Sequence, residues 1–561
     1  MTSNSAPPSS SIHLSRLVAR IVPFALLGEP GSLEVTSIAW HHEQVEPGSL
    51  YCCLPGQHYD GHDFAREAVS SGAVALVCEH SVKLGERARE QAGGQAGEQA
   101  SGQAGEQASG QAGERAGARS AVQLVVGPGR ARQAMAEAAC AFYGDPSTSL
   151  ATIGVTGTNG KTTTTYLLRS ILERHGWPTG VIGTLDGTRT TPEAPDLQRA
   201  LARQRDSGVR ASALEVTSHA LSQHRVDGIC FDVAVFTNLS QDHLDYHETM
   251  EAYFEAKARL FVPERARLAV VNSDDPYGSR IAERAGIPVV AFALADAKDL
   301  EVGPAGSSFV LDGARVRLRL GGAFNVMNAL AAAGAARSFG VPIATVAAGL
   351  EEVAGVPGRF ERIGSPGGHE VVVDFAHTPA ALEQVLAAAR PIATPGCGSP
   401  GRLIVVFGCG GDRDKGKRPA MGAVVARFAD VAFITTDNPR SEDPLAIIEQ
   451  IRAGIGSGAS AEIVLEPDRR LAIHRALGDA RPGDVVVVAG KGHETTQQLA
   501  DRAVRFSDQE VVREALAAMM PASSTPASST PASSTPATGT APPSGAASGA
   551  GTQGSGAGGQ R

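Results

Sequence analysis

A glycine-rich turn that follows a short apolar strand carries the clearest chemistry in this sequence. Residues 153–162 read Ile-Gly-Val-Thr-Gly-Thr-Asn-Gly-Lys-Thr, and we expect a helix from Thr163 onward. Such a turn directs backbone N–H groups and a helix N-terminus at phosphates, while Lys161 and Thr162 supply an ammonium for the β- and γ-phosphates and a hydroxyl for Mg²⁺. Val155 stands where the usual loop has its first glycine. The run predicts ATP binding; the alternative is a tight strand-to-helix turn without a ligand.

Two further charged residues are candidate functional residues because the chain also contains a phosphate loop. Glu215 ends an apolar strand, where a carboxylate alone is more often a helix cap, but Mg²⁺ prefers one or two carboxylates together with phosphate oxygens. Lys257 lies in a predicted amphipathic helix over 253–260, and its pattern alone is that of a solvated surface lysine. Only seven of the 50 basic residues are lysines, however, and five of them fall within motif segments: 161, 257, 415, 417 and 491. These lysines are candidates for tasks that need a compact primary amine.

Several motifs together resemble those of one family. The run 156–163, Thr-Gly-Thr-Asn-Gly-Lys-Thr-Thr, resembles the ATP loop of the Mur ligase family and of its folylpolyglutamate synthetase relatives. Further matches follow in the family's order at 190–192, 215–219, 237–245, 324–328, 358–361 and 374–379. The resemblance covers roughly residues 33–515 apart from one insertion.

The resemblance implies an α/β fold with the three-domain Mur ligase architecture. Strands alternate with helices over 148–356 and again over 357–518, which by itself predicts two parallel sheets with helical crossovers. We therefore expect an α/β UDP-substrate-binding domain over 33–147, a central P-loop ATPase-like domain over 148–356 and a Rossmann-like amino-acid-binding domain over 357–518. A partly disordered N-terminal extension (1–32), a low-complexity insertion (84–120) and a disordered tail (519–561) are expected outside these domains.

The resemblance also assigns catalytic, nucleotide and metal residues. The expected catalytic residues are Lys161, His243, Lys257 and Arg359, of which Arg359 is expected to contact the transferring phosphate. Asn325 and Asn328, like Arg359, are expected to be contributed by the domain that follows the phosphate loop. Two Mg²⁺ ions are expected on Thr162, Glu215, His243 and Lys257, the last as a carbamate (N6-carboxylysine), a modification that needs a primary amine. The ATP-binding set is Gly157, Thr158, Asn159, Gly160, Lys161, Thr162, Thr163, Asn325, Asn328, Arg359, Asp374 and His377.

Later motifs point to the amino acid that is added. Residues 406–418 and 489–494 resemble the branch of the family that adds the third residue of the peptide stem, and Asp-Asn-Pro-Arg at 437–440 accompanies meso-diaminopimelate in that branch. Arg440 can form a bidentate ion pair with the distal carboxylate of diaminopimelate. The competing substrate lysine has no distal carboxylate. Glu494 is expected to pair with the distal ammonium. The substrate-binding set is Thr190, Thr191, Ser218, Arg225, Arg413, Asp437, Asn438, Pro439, Arg440, Gly490 and Glu494.

The expected reaction is ATP-dependent addition of meso-diaminopimelate to UDP-N-acetylmuramoyl-L-alanyl-D-glutamate through an acyl phosphate, in peptidoglycan precursor synthesis. Alternatives are a lysine-adding relative, a folylpolyglutamate synthetase and a non-catalytic nucleotide-binding homologue. Arg440 argues against the first, and the separate N-terminal domain argues against the second. Residues 41–48, His-His-Glu-Gln-Val-Glu-Pro-Gly, depart from the family at a segment that contacts UDP.

Composition narrows the class of protein. A net charge of -9 argues against a general nucleic-acid binder, because phosphate backbones demand a basic face. Seven scattered cysteines include no CxxC pair and no zinc spacing. We find no run of 18 apolar residues and no leader-like segment, so we expect a cytoplasmic protein without membrane insertion. We also expect a monomer.

Overall fold

The computed structural model describes residues 11–56, 59–84, 121–186, 189–303, 305–393 and 401–519. Within them three sheet-centred domains follow one another along the chain. The predicted disordered N-terminus (1–10), nearly all of the predicted insertion (85–120) and the predicted tail (520–561) lie outside the described residues.

The N-terminal domain is built on a five-stranded sheet of order β2-β7-β6-β5-β4, parallel except at β2. Strands β5 and β6 are wholly buried, as expected for strands covered on both faces. The strands are β1 Ile12–His13, β2 Ala25–Leu27, β3 Glu34–Val35, β4 Ser37–Ala39, β5 Ser49–Cys52, β6 Ala75–Cys78 and β7 Val122–Val125. The helices are α1 Leu14–Ile21, α2 Ala65–Ser70 and α3 Ala131–Phe142.

Residues 12–27, which we expected to lie in an extension outside the domain, instead belong to it. Leu14, Leu17 and Ile21 of α1 are buried in the core of this domain, and β2 pairs with β7. Their i, i+3, i+7 spacing forms one apolar helix face, whose burial removes it from water. The domain therefore begins some twenty residues before the predicted boundary at residue 33.

The central domain contains a six-stranded parallel sheet of order β13-β12-β11-β8-β10-β9 and a separate antiparallel sheet of β14, β15 and β16. Helices α10 and α11 pack on α4, the helix that follows the phosphate loop. The strands are β8 Ala151–Thr156, β9 Thr179–Ile182, β10 Ala211–Glu215, β11 Val233–Phe236, β12 Ala269–Asn272, β13 Val289–Phe292, β14 Lys298–Val302, β15 Ser307–Leu311 and β16 Ala314–Leu318. The helices are α4 Lys161–Arg174, α5 Ala194–Asp206, α6 Ser218–Ser222, α7 Leu244–His247, α8 Met250–Ala258, α9 Pro276–Arg284, α10 Ala323–Ser338 and α11 Ile343–Glu352.

The C-terminal domain is a doubly wound sheet of order β17-β18-β22-β19-β20-β21, parallel except for β17. A small hairpin, β23 with β24, lies outside this sheet. The strands are β17 Glu361–Gly364, β18 Glu370–Asp374, β19 Leu403–Phe407, β20 Val431–Ile434, β21 Glu462–Leu465, β22 Val485–Ala489, β23 Thr496–Gln498 and β24 Ala503–Arg505. The helices are α12 Pro379–Ala389, α13 Lys417–Phe428, α14 Pro444–Arg452, α15 Arg469–Asp479 and α16 Asp508–Ala518.

The predicted alternation of strands and helices over 148–356 and 357–518 is confirmed. Parallel strands buried on both faces read as continuous hydrophobic segments, and β22, Val485–Ala489, is fully buried. Among the helices that the structure describes, none has the length and apolar character needed to cross a bilayer.

Candidate active site

The candidate active site is a cavity of about 1450 Å³ at the carboxyl ends of parallel strands. Loops after β8, β9, β10 and β11 line it from the central domain, and loops after β18, β19 and β22 line it from the C-terminal domain. Trp40, Pro55 and Gly56 complete the wall from the N-terminal domain. Ligands of open α/β sheets bind at this edge of the strands. All three domains therefore contribute to one site.

The phosphate loop joins β8 to α4 in a conformation that requires glycine. Gly157 and Gly160 have φ values of 152° and 85°, and a Cβ on Gly160 would collide with the Asn328 side chain. Lys161 Nζ donates to the carbonyl oxygens of Gly157 and Thr158, at 2.8 Å each. Asn325 and Asn328 lie on α10 of the central domain, so our expectation that the next domain contributes them was wrong.

Lys257 lies directly beneath this loop. It is only 1% exposed, and its Nζ donates to the same Gly157 carbonyl at 2.9 Å. Burial, and then the neighbouring Lys161 ammonium, hold the pKa of Lys257 well below its ordinary value. Two ammonium groups on one oxygen repel each other, so a neutral amine is favoured at Lys257. The interpretation of Lys257 as a solvated surface residue is wrong.

Glu215 presents a carboxylate held by two threonines. The Thr162 hydroxyl donates to the carboxylate and lies 3.0 Å from each of its two oxygens. Thr184 donates to the same carboxylate through its backbone N–H at 2.8 Å and through its hydroxyl at 3.1 Å. Across the described residues, no group of three or more His, Cys, Asp or Glu is arranged to hold a metal. One carboxylate and one hydroxyl beside a phosphate loop nevertheless fit Mg²⁺, which takes its other ligands from phosphate and water.

Arg359 crosses from the C-terminal domain into the phosphate site. Its Nη2 donates to Thr162 Oγ1 at 3.0 Å, and its guanidinium lies 4.5 Å from the centre of the Phe375 ring. Its Nε is buried without a hydrogen-bond partner among the described residues. An unpaired buried donor is costly, and a phosphate oxygen would satisfy it. Asp374 stands behind it, accepting from the N–H groups of Phe360 and Ala376 at 2.6 and 2.7 Å.

His243 is held in the left-handed backbone region, at φ 54° and ψ 26°, where it begins α7. Burial lowers its pKa to about 3, against the opposing field of Asp242. The neutral imidazole that results is the form that binds metals. Ser218, by contrast, is buried, and its Oγ lies 2.9 Å from His247 Nε2. The neighbouring Thr217 lines the cavity in its place.

A buried charge cluster joins the central and C-terminal domains. Asp242 Oδ1 accepts from Lys417 Nζ at 3.1 Å, and Asp242 Oδ2 lies 3.4 Å from His377 Nε2. Although burial opposes ionisation, Lys417 and the two neighbouring histidines hold the pKa of Asp242 well below its usual range. Gln241 Nε2 adds a hydrogen bond to Asp414 Oδ2 at 3.0 Å.

Replacement of Asp242 by asparagine should weaken this junction, because it leaves the Lys417 ammonium buried without its counter-charge. Removing one partner of a buried ion pair costs about 3 kcal/mol or more. We expect the thermal midpoint of the transition that includes the C-terminal domain to fall by roughly 5 °C in calorimetry. Asp245→Asn, which changes an exposed carboxylate three residues further along, is the matched control. Equal midpoints for the two variants would contradict the junction.

The wall toward the N-terminal domain is rich in arginine. Glu193 is 3% exposed and pairs with Arg132, Arg189 and Arg225 at 3.3, 2.7 and 3.0 Å. Arg225 also donates to the carbonyl of Thr191 at 2.9 Å. One carboxylate thus faces three guanidinium groups, which leaves this wall positively charged.

The predicted amino-acid pocket lies at the carboxyl ends of β19, β20 and β22. Arg413 and Arg440 flank Gly410, and across the described part of the chain neither forms an ion pair with a carboxylate. Glu494 Oε2 accepts from Lys491 Nζ at 2.7 Å and from Asn438 at 2.9 Å. The fully buried Lys491 also donates to Asn438 Oδ1 at 3.0 Å.

The structure brings most of the predicted residues into one cavity. Those that line it are Thr158, Asn159, Gly160, Lys161, Thr162, Thr190, Thr191, Glu215, Arg225, His243, Arg359, His377, Arg413 and Glu494. Those that do not line it are Gly157, Thr163, Ser218, Lys257, Asn325, Asn328, Asp374, Asp437, Asn438, Pro439, Arg440 and Gly490. Of the second set, Gly157 accepts a hydrogen bond from Lys161 and Asn438 donates one to Glu494, so these two support residues of the first set.

Several lining residues were missed. Thr217 and Gln223 stand within or beside a quoted motif, and Arg189 precedes Thr190, so their positions could have been found. Trp40, Thr184 and Glu193 also line the cavity, but no local pattern distinguishes them. His42, at the segment that departs from the family, stacks on Phe64 with ring centres 4.3 Å apart.

Comparison with family models and known proteins gives a consistent result. Models described as Mur ligase family catalytic domain, Mur ligase middle domain, and Mur ligase glutamate ligase domain match residues 35–143, 155–336 and 358–492. The chain is 43% identical over 510 residues to the UDP-N-acetylmuramoyl-L-alanyl-D-glutamate--2,6-diaminopimelate ligase of Streptomyces coelicolor, covering 87% of this chain and 93% of that protein. The protein of the same name from Geobacillus thermodenitrificans is 39% identical over 531 residues, covering 90% of this chain and 99% of the relative.

Solved structures agree in fold. A structure of a UDP-N-acetylmuramoyl-L-alanyl-D-glutamate--2,6-diaminopimelate ligase is 32% identical, with a TM-score of 0.57 over 89% of this chain and 98% of that chain. A MurF ligase from Thermotoga maritima in complex with ADP shares the fold at 20% identity and a TM-score of 0.56, covering 86% of this chain and 96% of that chain. With the predicted three-domain architecture confirmed and the family's motifs gathered in one cavity, the chain belongs to the Mur ligase family.

Proposed function

We propose that this enzyme joins meso-diaminopimelate to the D-glutamate of UDP-N-acetylmuramoyl-L-alanyl-D-glutamate, converting ATP to ADP and phosphate. Family membership and the names of the relatives support this reaction. The observation that carries the choice of amino acid is the pair Arg413 and Arg440: neither forms an ion pair with a carboxylate of the described residues, although Asp412, Asp437 and Glu494 lie near Arg440. A second carboxylate on the incoming amino acid supplies the missing charge.

In the first step an oxygen of the D-glutamyl γ-carboxylate attacks the γ-phosphorus of ATP. The bond from that phosphorus to the bridging oxygen breaks, which releases ADP and leaves an acyl phosphate. Lys161 and Arg359 are placed to offset the negative charge that accumulates during transfer. In doing so Lys161 exchanges its two loop carbonyls for phosphate oxygens.

In the second step the free amine of diaminopimelate attacks the acyl carbon. A C–N bond forms, the C–O bond to phosphate breaks, and the amine proton is released as phosphate departs. Arg413, Arg440 and Glu494 orient the amino acid for this attack by holding its distal end. Residues of all three domains line the cavity, and closure of the domains around bound substrates would shield the acyl phosphate from water.

Two Mg²⁺ ions belong to this proposal. Thr162 and Glu215 would hold one ion, and His243 with carbamylated Lys257 would hold the other; such ions neutralise phosphate charge during transfer. The carbamate forms when the neutral amine of Lys257 attacks CO₂ and loses a proton. The lowered pKa of Lys257, caused by burial and by Lys161, favours the amine that this reaction needs.

We assign the remaining residues by their positions. Thr190, Thr191 and Arg225 contact the UDP-linked dipeptide, with Thr217 in the place expected for Ser218. ATP binds to the loop 157–163 and to Asn325, Asn328, Arg359, Asp374 and His377. The amino acid binds to Arg413, residues 437–440, Gly490 and Glu494. One copy of the chain brings all these groups together, so we propose a monomer that works in the cytoplasm, where ATP is available.

The proposal is tested by phosphate release from purified protein supplied with ATP, Mg²⁺ and UDP-N-acetylmuramoyl-L-alanyl-D-glutamate. Parallel reactions contain meso-diaminopimelate, L-lysine, or neither amino acid. We expect release and a tripeptide product with diaminopimelate only. Preference for lysine would refute the role of Arg440 but keep the ligase, whereas retained ATP binding without turnover would indicate a non-catalytic homologue.

A further inference from the structure

Two loops at the carboxyl ends of adjacent strands are fastened to each other. The loop after β19 (408–416) and the loop after β20 (435–442) carry Arg413 and Arg440 respectively. Gly411 N donates to Asn438 O at 2.9 Å, and Arg440 Nη1 donates to Gly411 O at 2.7 Å. The relative position of the two arginines therefore depends on contacts between these loops.

A buried arginine outside the pocket joins both loops. Arg418 lies on α13 with no exposed surface, and its Nη1 and Nη2 each donate to the Glu442 carboxylate at 2.9 Å. Nη2 also donates to the carbonyl of Gly410 at 3.1 Å, and Nη1 donates to Gln450 Oε1 at 2.7 Å. Arg418 thus contacts the first loop directly and the second through Glu442.

Glu442 closes the connection from the other side. Its Oε1 accepts from the backbone N–H of Asp412 at 2.6 Å, and Lys415 Nζ lies 3.3 Å from its Oε2. A single carboxylate therefore ties a residue of the second loop to two residues of the first and to α13. Bidentate arginine–carboxylate pairs of this kind define geometry as well as energy.

The pocket needs such a restraint because its own charges repel each other. Arg413 and Arg440 flank the same glycine, Gly410. Burial lowers the pKa of Arg440, and the nearby Arg413 lowers it further. Asp437, Glu494 and Asp412 offset part of this repulsion, but none of them forms an ion pair with either arginine, so without a bound carboxylate the two like charges favour separation of their loops.

We infer that Arg418 and Glu442 are positioning residues, which hold the two loops so that Arg413 and Arg440 converge on the distal carboxylate of the incoming amino acid. The inference rests on the proposed function, since it gives that reaction a specificity device outside the pocket wall. Neither residue touches the substrate itself. They pre-arrange the pocket, so that binding does not have to bring two guanidinium groups together.

The lead test is Glu442→Gln, which keeps the side-chain shape but removes the charge and one of the two acceptors for Arg418. We expect KM for meso-diaminopimelate to rise about 10- to 100-fold, and the preference for diaminopimelate over L-lysine to fall by a similar factor. KM for ATP and for the UDP-linked dipeptide should change less than about threefold, because the phosphate loop is untouched. Arg418→Lys, which keeps the charge but loses the two-pronged geometry, should give the same pattern.

The matched control is Asp484→Asn. Asp484 Oδ2 accepts from Arg402 Nε at 3.0 Å and from Arg402 Nη2 at 2.7 Å, at the opposite, amino-terminal end of the same sheet. This variant should lose stability without changing KM for diaminopimelate. The positioning role is refuted if Glu442→Gln lowers only the fraction of enzyme molecules that are active and leaves the KM values unchanged. It is also refuted if the variant raises all three KM values equally. Failure of the wild-type protein to use diaminopimelate would refute the proposed function itself, which separates the two results.

Discussion

Replacing Lys257 with alanine is expected to lower kcat for phosphate release by about 10³-fold, close to the full contribution of a charged group at a phosphoryl-transfer site. Lys257 lies beneath the phosphate loop and shares the Gly157 carbonyl with Lys161. If its amine becomes a carbamate, a repulsive cation is replaced by an anion that can hold a metal. The alanine variant loses that anion, and steady-state phosphate release measures the loss.

Lys257→Arg distinguishes the carbamate from a simple cation. Arginine keeps the positive charge but cannot form a carbamate, so we expect it to be as inactive as the alanine variant. A short carboxylate such as acetate should partly restore activity to Lys257→Ala, and isotopically labelled bicarbonate should place a carbamate signal in the wild-type protein alone. Near wild-type activity of Lys257→Arg would show that the residue acts as a cation.

Arg440→Met is expected to reduce kcat/KM for meso-diaminopimelate by roughly 10²- to 10³-fold, while turnover with L-lysine changes little. The arginine is partly buried and forms no ion pair within the described residues, although Asp412, Asp437 and Glu494 lie near it; on the proposed function the carboxylate of the amino acid becomes its direct partner. Losing a bidentate, desolvated contact to a charged group costs about 3 to 4 kcal/mol, which corresponds to that factor.

Arg427→Met provides the control for the loss of one arginine in the same domain, because Arg427 is exposed on α13 and pairs with Glu383. The selectivity for diaminopimelate over lysine, measured in a competition assay, should fall only in Arg440→Met. An equal loss of activity with both amino acids would mean that Arg440 supports the loop rather than recognising the substrate.

Sequence alone predicted the parts of the site that are local in the chain. The phosphate loop follows the end of β8, and Glu215 ends β10. The Asp-Asn-Pro-Arg loop likewise follows β20, but none of its four residues lines the cavity. Thr217 and Ser218 show the limit of this approach. Both stand at the start of α6, but Thr217 caps the helix at the cavity whereas Ser218 turns into the protein toward His247. A motif does not show which of two adjacent side chains faces the cavity.

Residues brought together over long distances could not be predicted in the same way. Glu193 forms ion pairs with Arg132 and Arg225 because α3 and the segments after β9 and β10 pack together. The residues that neighbour each of them in the sequence do not indicate these partners. Lys491 was noticed because lysine is rare here, but its hydrogen bonds to Asn438 and Glu494 depend on the β20–β22 geometry. Helix α1 is different, because the spacing of Leu14, Leu17 and Ile21 in the sequence already predicts one buried helix face.

The two hydrogen bonds from Lys161 to the carbonyls of its own loop have a consequence for how the nucleotide is held. On the proposed function this ammonium exchanges two carbonyl acceptors for phosphate oxygens when ATP enters, so the loss of the carbonyl contacts offsets part of the ground-state gain. The gain comes when negative charge builds on the transferring phosphoryl group and the carbonyls can no longer compete. On the proposed function we therefore expect the backbone N–H groups of the loop to contribute most of the nucleotide affinity, and Lys161 to contribute chiefly to the rate.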